Sequence, residues 1–421
     1  MAHSVPQLID HLFRHQAGRL VSHLVRTLGP AHVDLAEDVV QDALIAALRR
    51  WPFDGVPADP AAWLSRVARN RAIDTLRRHA TLRDKLAVLE QEEKTAQGVS
   101  DPSVRFSDEL DDDALRMIFA CCHPSIAAEA RGPLTLKLAC GFGVAEIARA
   151  FLLNESAVSQ RIVRAKKQLR SGVIDLEVPA PALIAERVDS VLEVIYLMFN
   201  EGYTAHRGDN LVRADLMDDA IRLARLLTAH SSAALPQAHA LLALMLFQGA
   251  RLPARVDEEG RMVLLAEQDR TLWSRPHIAE GFRALDRASQ GNRLSEYHVQ
   301  AAIAACHVTA PTAEETDWAQ ILGHYDTLVA QAPSPVVRLN RAVALAMARG
   351  ATQGLAALEE IDPKELDDYY LLPATRGELL RRDGRTEDAM REFTRALELV
   401  TTEPERRFLE DRIRSLNPPC S

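Results

Sequence analysis

With 421 residues, 47% of them hydrophobic and 26% charged, the chain is long enough for about two to four domains with cores of their own. A net charge of −9 argues as a total against a nucleic-acid binder, but the total hides an uneven distribution, and distribution sets local potential. Five cysteines (Cys121, Cys122, Cys140, Cys306 and Cys420) follow no framework spacing, the N-terminal segment lacks an apolar signal core, and no stretch approaches the roughly eighteen uncharged apolar residues of a membrane span. A disulfide scaffold and a membrane protein are thus excluded, and a cytoplasmic protein is expected.

Helical periodicity runs through the whole chain and alternating strand-like runs are nearly absent, which predicts an all-α fold. A first helical module spans residues 5–83, with helices over Leu35 to Arg50 and Ala61 to His79 separated by the turn-rich stretch Trp51 to Pro60. Residues 61 to 85 carry seven Lys/Arg against two acids. Within AAWLSRVARNRAIDTLRRH, Trp63 beside Arg66, Arg69, Asn70, Arg71, Arg77 and Arg78 has the composition needed to hold an opened DNA strand by stacking and backbone charge. A buried Trp beneath a solvated basic helix reads the same way.

An acidic linker, 84–107, joins this to a second small module at 108–175, and acids continue through Asp111, Asp112 and Asp113. In VAEIARAFLLNESAVSQRIVRAKKQL, residues 144 to 169, Val144, Ile147, Ala148 and Phe151 form one apolar stripe and Val158, Ile162, Ala165 and Leu169 another. Leu152, Leu153 and Asn154 make the turn between them, with Asn154 placed to cap the second helix. The pattern is a helix-turn-helix. Ser156, Ser159, Gln160, Arg161, Arg164 and Lys167 fall mainly outside the buried stripe, where Gln and Arg suit base edges and Ser, Lys and the remaining Arg suit phosphates.

After a Pro-rich break at Val178 to Pro181, residues 182–421 form a larger helical region. One strand pair is expected in it, a short β-hairpin over Ala254 to Leu265. Gly350 and Gly384 stand 34 residues apart, each between helical patterns, a period that suits tetratricopeptide (TPR) helix pairs or an ordinary array of helical hairpins. Gly377, Ala389, Phe393 and Ala396 fall where such repeats place small or aromatic residues.

Taken together and in this order, AEDVVQDALIAALRRW with WLSRVARNRAIDTLRR, and then VAEIARAFLLNESAVSQRIVRAKKQLR, resemble the extracytoplasmic-function (ECF) branch of the sigma-70 family of RNA polymerase sigma factors. The resemblance covers roughly residues 5 to 175 and makes 5–83 the family's region 2 and 108–175 its region 4. It implies that Glu37, Asp38, Gln41 and Asp42 dock on the clamp helices of polymerase core, whose flap is a further contact. It also implies that the 51–60 loop and the Trp63 helix capture the melted minus-ten element, and that the recognition helix reads the minus-thirty-five element. In this family such linkers thread polymerase channels, although a solvated tether would carry the same acids. The family usually has Gly in the turn where this chain has Leu152, and Ala157 replaces a common Thr. RVDSVLEVIYLMFNEGYTA and ARVDEEGRMVLLAEQDRTLW, with the late repeat, resemble a subgroup carrying a TPR-like extension, implied to be regulatory.

Other chemistry is weighed against plainer readings. Cys121, Cys122, His123 and Cys140 lack the usual C-x-x-C hook, and core packing is expected rather than a metal site. The loop Asn200, Glu201, Gly202, Tyr203, with His206 and Asp209, reads either as a helix end closed by Gly202 or as a candidate regulatory site for a ligand or signalling protein. Arg251, Asp257, Gln268, Asp269 and Arg270 suggest a structural ion-pair network. No cofactor and no catalytic residue are expected. A sigma factor is the first reading, promoter DNA and polymerase core its partners; the alternatives are a one-component helix-turn-helix regulator with a C-terminal sensor and an enzyme fused to a DNA-binding module.

Overall fold

A computed structural model describes residues 5–78, 113–151, 153–177, 181–203, 214–230, 233–257, 261–367 and 369–416. The linker 84–107, Leu152, His206 and Asp209 lie outside the described residues. The chain divides into two compact units, Met1–Met198 with Asp218–Ala233, and Phe199–Met217 with Ala234–Ser421. Among the described residues all regular structure is helical, as the periodicity predicts.

The first unit opens with α1 (Val5–Leu28), α2 (Val33–Asp54) and α3 (Pro60–Arg78). Each turns one apolar stripe inward at helical spacing: Leu20, Leu24 and Leu28; Ala36, Val40, Ala43, Ala47 and Trp51; Leu64, Ala68, Ala72 and Leu76. Large side chains buried this way each contribute roughly 1.5–3 kcal/mol. Gly29, at φ 88°, ends α1, and Pro30 starts the short 3-10 turn into α2. At the far end, α2 does not stop at Arg50 as expected. Trp51 continues its stripe, only 2% exposed, and this packing carries the helix through Pro52 to Asp54, where Gly55 at φ 83° closes it. Asp59 then accepts a 2.9 Å hydrogen bond from the Ala62 amide and starts α3.

Four helices follow: α4 (113–121), α5 (Ala128–Leu138), α6 (Val144–Ala150) and α7 (Glu155–Arg170). Val158, Ile162, Ala165 and Leu169, the predicted stripe of α7, are its buried residues. Asn154 caps it, its Oδ1 accepting from the Ala157 amide at 2.8 Å. Gly132 of α5 makes room for Phe151 at the turn, since a β-carbon there would lie 2.5 Å from the ring. The unit also takes in α8 (Pro181–Tyr203) as far as Met198 and α9 (Ala214–Ala229) from Asp218.

The second unit is built on α10 (Pro236–Ala250), buried along nearly its whole length, then α11 (Arg275–Ala288), α12 (Glu296–Thr309) and α13 (Trp318–Gln331). Helix pairs α14 (Pro335–Arg349) with α15 (Ala351–Glu359), and α16 (Leu371–Arg382) with α17 (Thr386–Leu399), lead to α18 (Glu403–Leu416). Gly350 (φ 106°) and Gly384 (φ 81°) sit at the two junctions, and Gly377 lies against Phe393 as its position suggests. The expected hairpin is reduced to a single antiparallel bridge between Val256 and Met262. An isolated two-stranded ribbon is marginal in water. Here Met262 and Leu264 join Val343, Leu371 and Phe408 around an apolar groove, and the chain coils into a 3-10 turn at Leu265–Glu267.

Candidate nucleic-acid and polymerase interface

On α2, the residues out of phase with the buried stripe make one exposed face. Asp38, Gln41 and Asp42 lie on it, and beyond them come Ile45, 37% exposed, and Leu48, 43% exposed. An acidic patch running into exposed aliphatic side chains suits a protein partner better than plain solvation. Sequence reasoning named the acids but missed Ile45 and Leu48, although their helical phase relative to Ala43 and Ala47 marks them as outward-facing. Glu37 departs from the expectation, because it is largely covered.

Its carboxylate is held by Lys166 of α7 and lies 3.7 Å from Lys137 of α5. Lys166 also donates to Asp34 at 3.0 Å, and Arg170 pairs with the same Asp34. Burial pulls the Lys166 ammonium down, but hydrogen bonds and charge from Glu37 and Asp34 outweigh it and hold the pKa above the usual lysine value.

On α3, Arg66, Asn70 and Arg77 are exposed at helical spacing, while Arg69 and Arg71 are half-buried. Arg71 is engaged by Asp42 at 2.6 Å, so two expected contacts for different partners pair with each other. Arg78 has a helical backbone, and its side chain lies outside the described residues. Trp63 is half-buried, its ring edge-on to Trp51 at 5.4 Å and 63°. The exposed aromatic is instead Phe53, 88% accessible in the last turn of α2. The sequence marked the stretch Trp51 to Pro60 but not this residue, which falls off the phase that buries Trp51.

Ser156, Ser159, Gln160, Arg164 and Lys167 are all exposed on one side of α7, opposite the buried stripe, with Val163, 62% exposed, among them. Arg161 is partly covered and reaches the Glu129 carbonyl at 3.4 Å. The exposed set offers hydrogen bonds, positive charge and one apolar contact along a single helix face, the chemistry needed to read base edges in a major groove.

The cysteine cluster packs into the core. Burial pushes the Cys122 thiol up to about 12, and the Cys140 thiol lies 3.6 Å from the Met198 sulfur, while His123 turns to Ser125 at 2.7 Å. Asn200 to Tyr203 form the last described turn of α8, and the helix runs through Gly202 rather than closing there. Tyr203 is held by Arg255, whose guanidinium lies 3.7 Å from its ring and 2.7 Å from its carbonyl, and by Arg251 at its hydroxyl. Of the residues expected to form an ion-pair network, Asp257 pairs with Arg261, Asp269 caps Thr271, Gln268 donates to the Val263 carbonyl, and Arg270 donates to the His307 and Ala310 carbonyls. No helix of the described residues is long and apolar enough to cross a membrane.

Three family profiles match parts of the chain. Residues 12–81 match the profile of Sigma-70 region 2, residues 116–169 that of Sigma-70 region 4, and residues 187–289 a family of unknown function, DUF6596. An uncharacterized protein of Rhizobium meliloti (strain 1021) is 42% identical over 383 residues, 90% of this chain and 89% of that protein. The ECF RNA polymerase sigma factor SigL of Mycobacterium tuberculosis (strain ATCC 25618 / H37Rv) is 31% identical over 172 residues, 41% of this chain and 92% of SigL.

Proposed function

The chain belongs to the ECF family of RNA polymerase sigma factors, with a helical extension after region 4, and from that premise we propose how its residues divide the work and what the extension does. As a sigma factor it directs polymerase core to promoters and carries no catalysis of its own. The face of α2 bearing Asp38, Gln41, Asp42, Ile45 and Leu48 docks on the clamp helices. Phe53, with Arg66, Asn70 and Arg77, receives the melted minus-ten strand, stacking supplied by the aromatic and backbone charge by the arginines. Ser156, Ser159, Gln160, Arg164 and Lys167 enter the major groove at the minus-thirty-five element. The work is done in the cytoplasm, where core polymerase resides.

The observation that carries this reading is the exposed face of α7, polar throughout except Val163, backed by a fully buried stripe and set by a capped turn. We assign the domains as 5–83 for region 2, 84–107 for the linker, 108–175 for region 4 and 182–421 for a TPR-like extension that controls activity and takes a signalling protein or ligand at the Asn200 to Tyr203 turn, through its part-exposed residues Asn200 and Tyr203 while Glu201 and Gly202 are buried. The paired helices joined at Gly350 and Gly384 favour the TPR-like description. Mixing the purified chain with polymerase core and scoring initiation on promoter libraries tests the assignment. Duplex footprinting by the chain alone, without association with core, would favour a one-component regulator instead.

A further inference from the structure

Three arginines gather in the second unit where α8, α10 and α12 end. Arg251 is the C-cap of α10, and the 3-10 turn Leu252–Ala254 brings Arg255 to the same side, so that the two guanidiniums lie 6.0 and 3.7 Å from the centre of the Tyr203 ring. Arg270 comes from the 3-10 turn Arg270–Leu272, its guanidinium 4.7 Å from the centre of the Trp273 ring. The acceptors they hold are neutral: the Tyr203 hydroxyl for Arg251, the Tyr203 carbonyl for Arg255, and the His307 and Ala310 carbonyls with the Thr316 hydroxyl for Arg270.

Like charges gathered in a part-buried setting repel, and little water screens them. Burial lowers the pKa of Arg255 and of Arg270, and the charge of Arg251 lowers each further. Among the described residues none of the three has an ion-pair partner. Glu405 acts on Arg255 from further off, but its oxygens accept from the Tyr370 and Thr402 hydroxyls, and Glu314, which acts on Arg270, is exposed. Donors are left over as well. A guanidinium carries five N–H groups, and the buried Nε of Arg251 has no acceptor; nor has the indole Nε1 of Trp273, 3% exposed, and the Nδ1 of His307, 9% exposed, has no partner. Such orphans are rare in native folds. Unpaired N–H groups beside uncompensated positive charge suit an oxyanion, which accepts several hydrogen bonds and brings the missing charge.

Resting on the reading of the Asn200 to Tyr203 turn as a ligand site, and naming its ligand, we propose that Arg251, Arg255 and Arg270 bind the phosphate or carboxylate group of a small soluble molecule beside Tyr203. Contact with the rings of Tyr203 and Trp273 holds two of the guanidiniums in place beforehand, so that little side-chain freedom is lost when the oxyanion arrives. The bound group ties together the ends of α8, α10 and α12.

The test titrates inorganic pyrophosphate, and separately citrate, into the full-length chain by calorimetry at constant ionic strength, so that general screening does not count as binding. The parent is expected to bind one anion saturably and to melt at a temperature that rises with anion concentration. Arg251→Gln should weaken binding about tenfold or more, the range of a lost charge-assisted hydrogen bond. Arg341→Gln, which alters a part-exposed arginine of the same unit paired with Asp326, should leave affinity unchanged. Arg251→Lys keeps the charge, stands in if the glutamine variant loses helical content, and should fall between it and the parent. Tighter binding of pyrophosphate assigns a phosphorylated ligand, tighter binding of citrate a carboxylate, and both support the site. If neither anion binds saturably, or if the Arg251 variants bind as the parent does, the anion site is overturned. The wider reading is scored apart, by initiation with purified core. An Asn200→Ala chain that initiates differently although no anion binds keeps the turn as a regulatory site without this ligand, whereas unaltered initiation together with no binding removes both.

Discussion

The sequence singles out Trp63 as the stacking residue, and the fold points to Phe53 instead. Trp63 leans edge-on against buried Trp51, while Phe53 is almost wholly solvated. Phe53→Ala should therefore leave thermal stability within about 0.5 kcal/mol of the parent, as surface changes do, yet weaken strand capture by the roughly 1–3 kcal/mol of a lost base stack. Permanganate reactivity of the melted minus-ten region, compared with the melting temperature of the free protein, reads the two effects apart. Trp63→Ala should show the opposite balance, lowering the melting temperature first. His307 makes a second prediction at this scale. Burial first, and then the charges of Arg251 and Arg270, hold its imidazole down to about 4 from the usual 6.5. The unfolded chain binds this proton more readily than the folded one, so the contribution is complete above pH 6.5 and is lost as pH falls through 4. Its size is at most about 3 kcal/mol. Denaturant titrations at pH 7 and pH 5 should show a loss of stability that is flattened in His307→Gln.

At the level of single elements, α7 shows what a sequence makes legible. Its cap, its buried stripe and its exposed face all follow from spacing within some twenty residues, and each is where local rules put it. Asn154→Ala removes the acceptor for the Ala157 amide, which should cost about 1 kcal/mol. Minus-thirty-five affinity should fall alongside stability, while binding to core stays unchanged. Measuring both on the holoenzyme checks that the loss lies in this helix and not in docking. The end of α2 was less legible, because Pro52 signals a break and only tertiary burial of Trp51 overrides it. The partner of Glu37 was not legible at all: Lys166 stands 129 residues away, and no local period links charges across such a distance. The single described bridge at Val256 and Met262 belongs with these, since the turn residues suggested a hairpin but Met262 and Leu264 are used to line the groove.

For the whole molecule, the informative boundary is the one after region 4. Sequence composition puts a break at Val178 to Pro181, and removing everything beyond residue 178 looks like a clean separation of sigma factor from extension. The first compact unit extends further, taking in α8 to Met198 and α9 from Asp218 to Ala229. Ile184, Val188, Val191, Leu192, Ile195 and Met198 are buried along α8, and Ser190 accepts a 2.8 Å hydrogen bond from Arg131 of α5. Cutting at 178 strips this cover from the helices that carry the recognition helix, uncovering side chains worth roughly 1.5–3 kcal/mol each when large and fully buried. The truncated chain should therefore melt at lower temperature and initiate poorly in transcription with purified core, which would make the extension an activator through support of region 4. A chain ending at Ala233 keeps both helices and should recover much of the stability. If the chain cut at 178 instead initiates more strongly than the parent at equal stability, the extension acts as a built-in inhibitor and its support of region 4 is incidental.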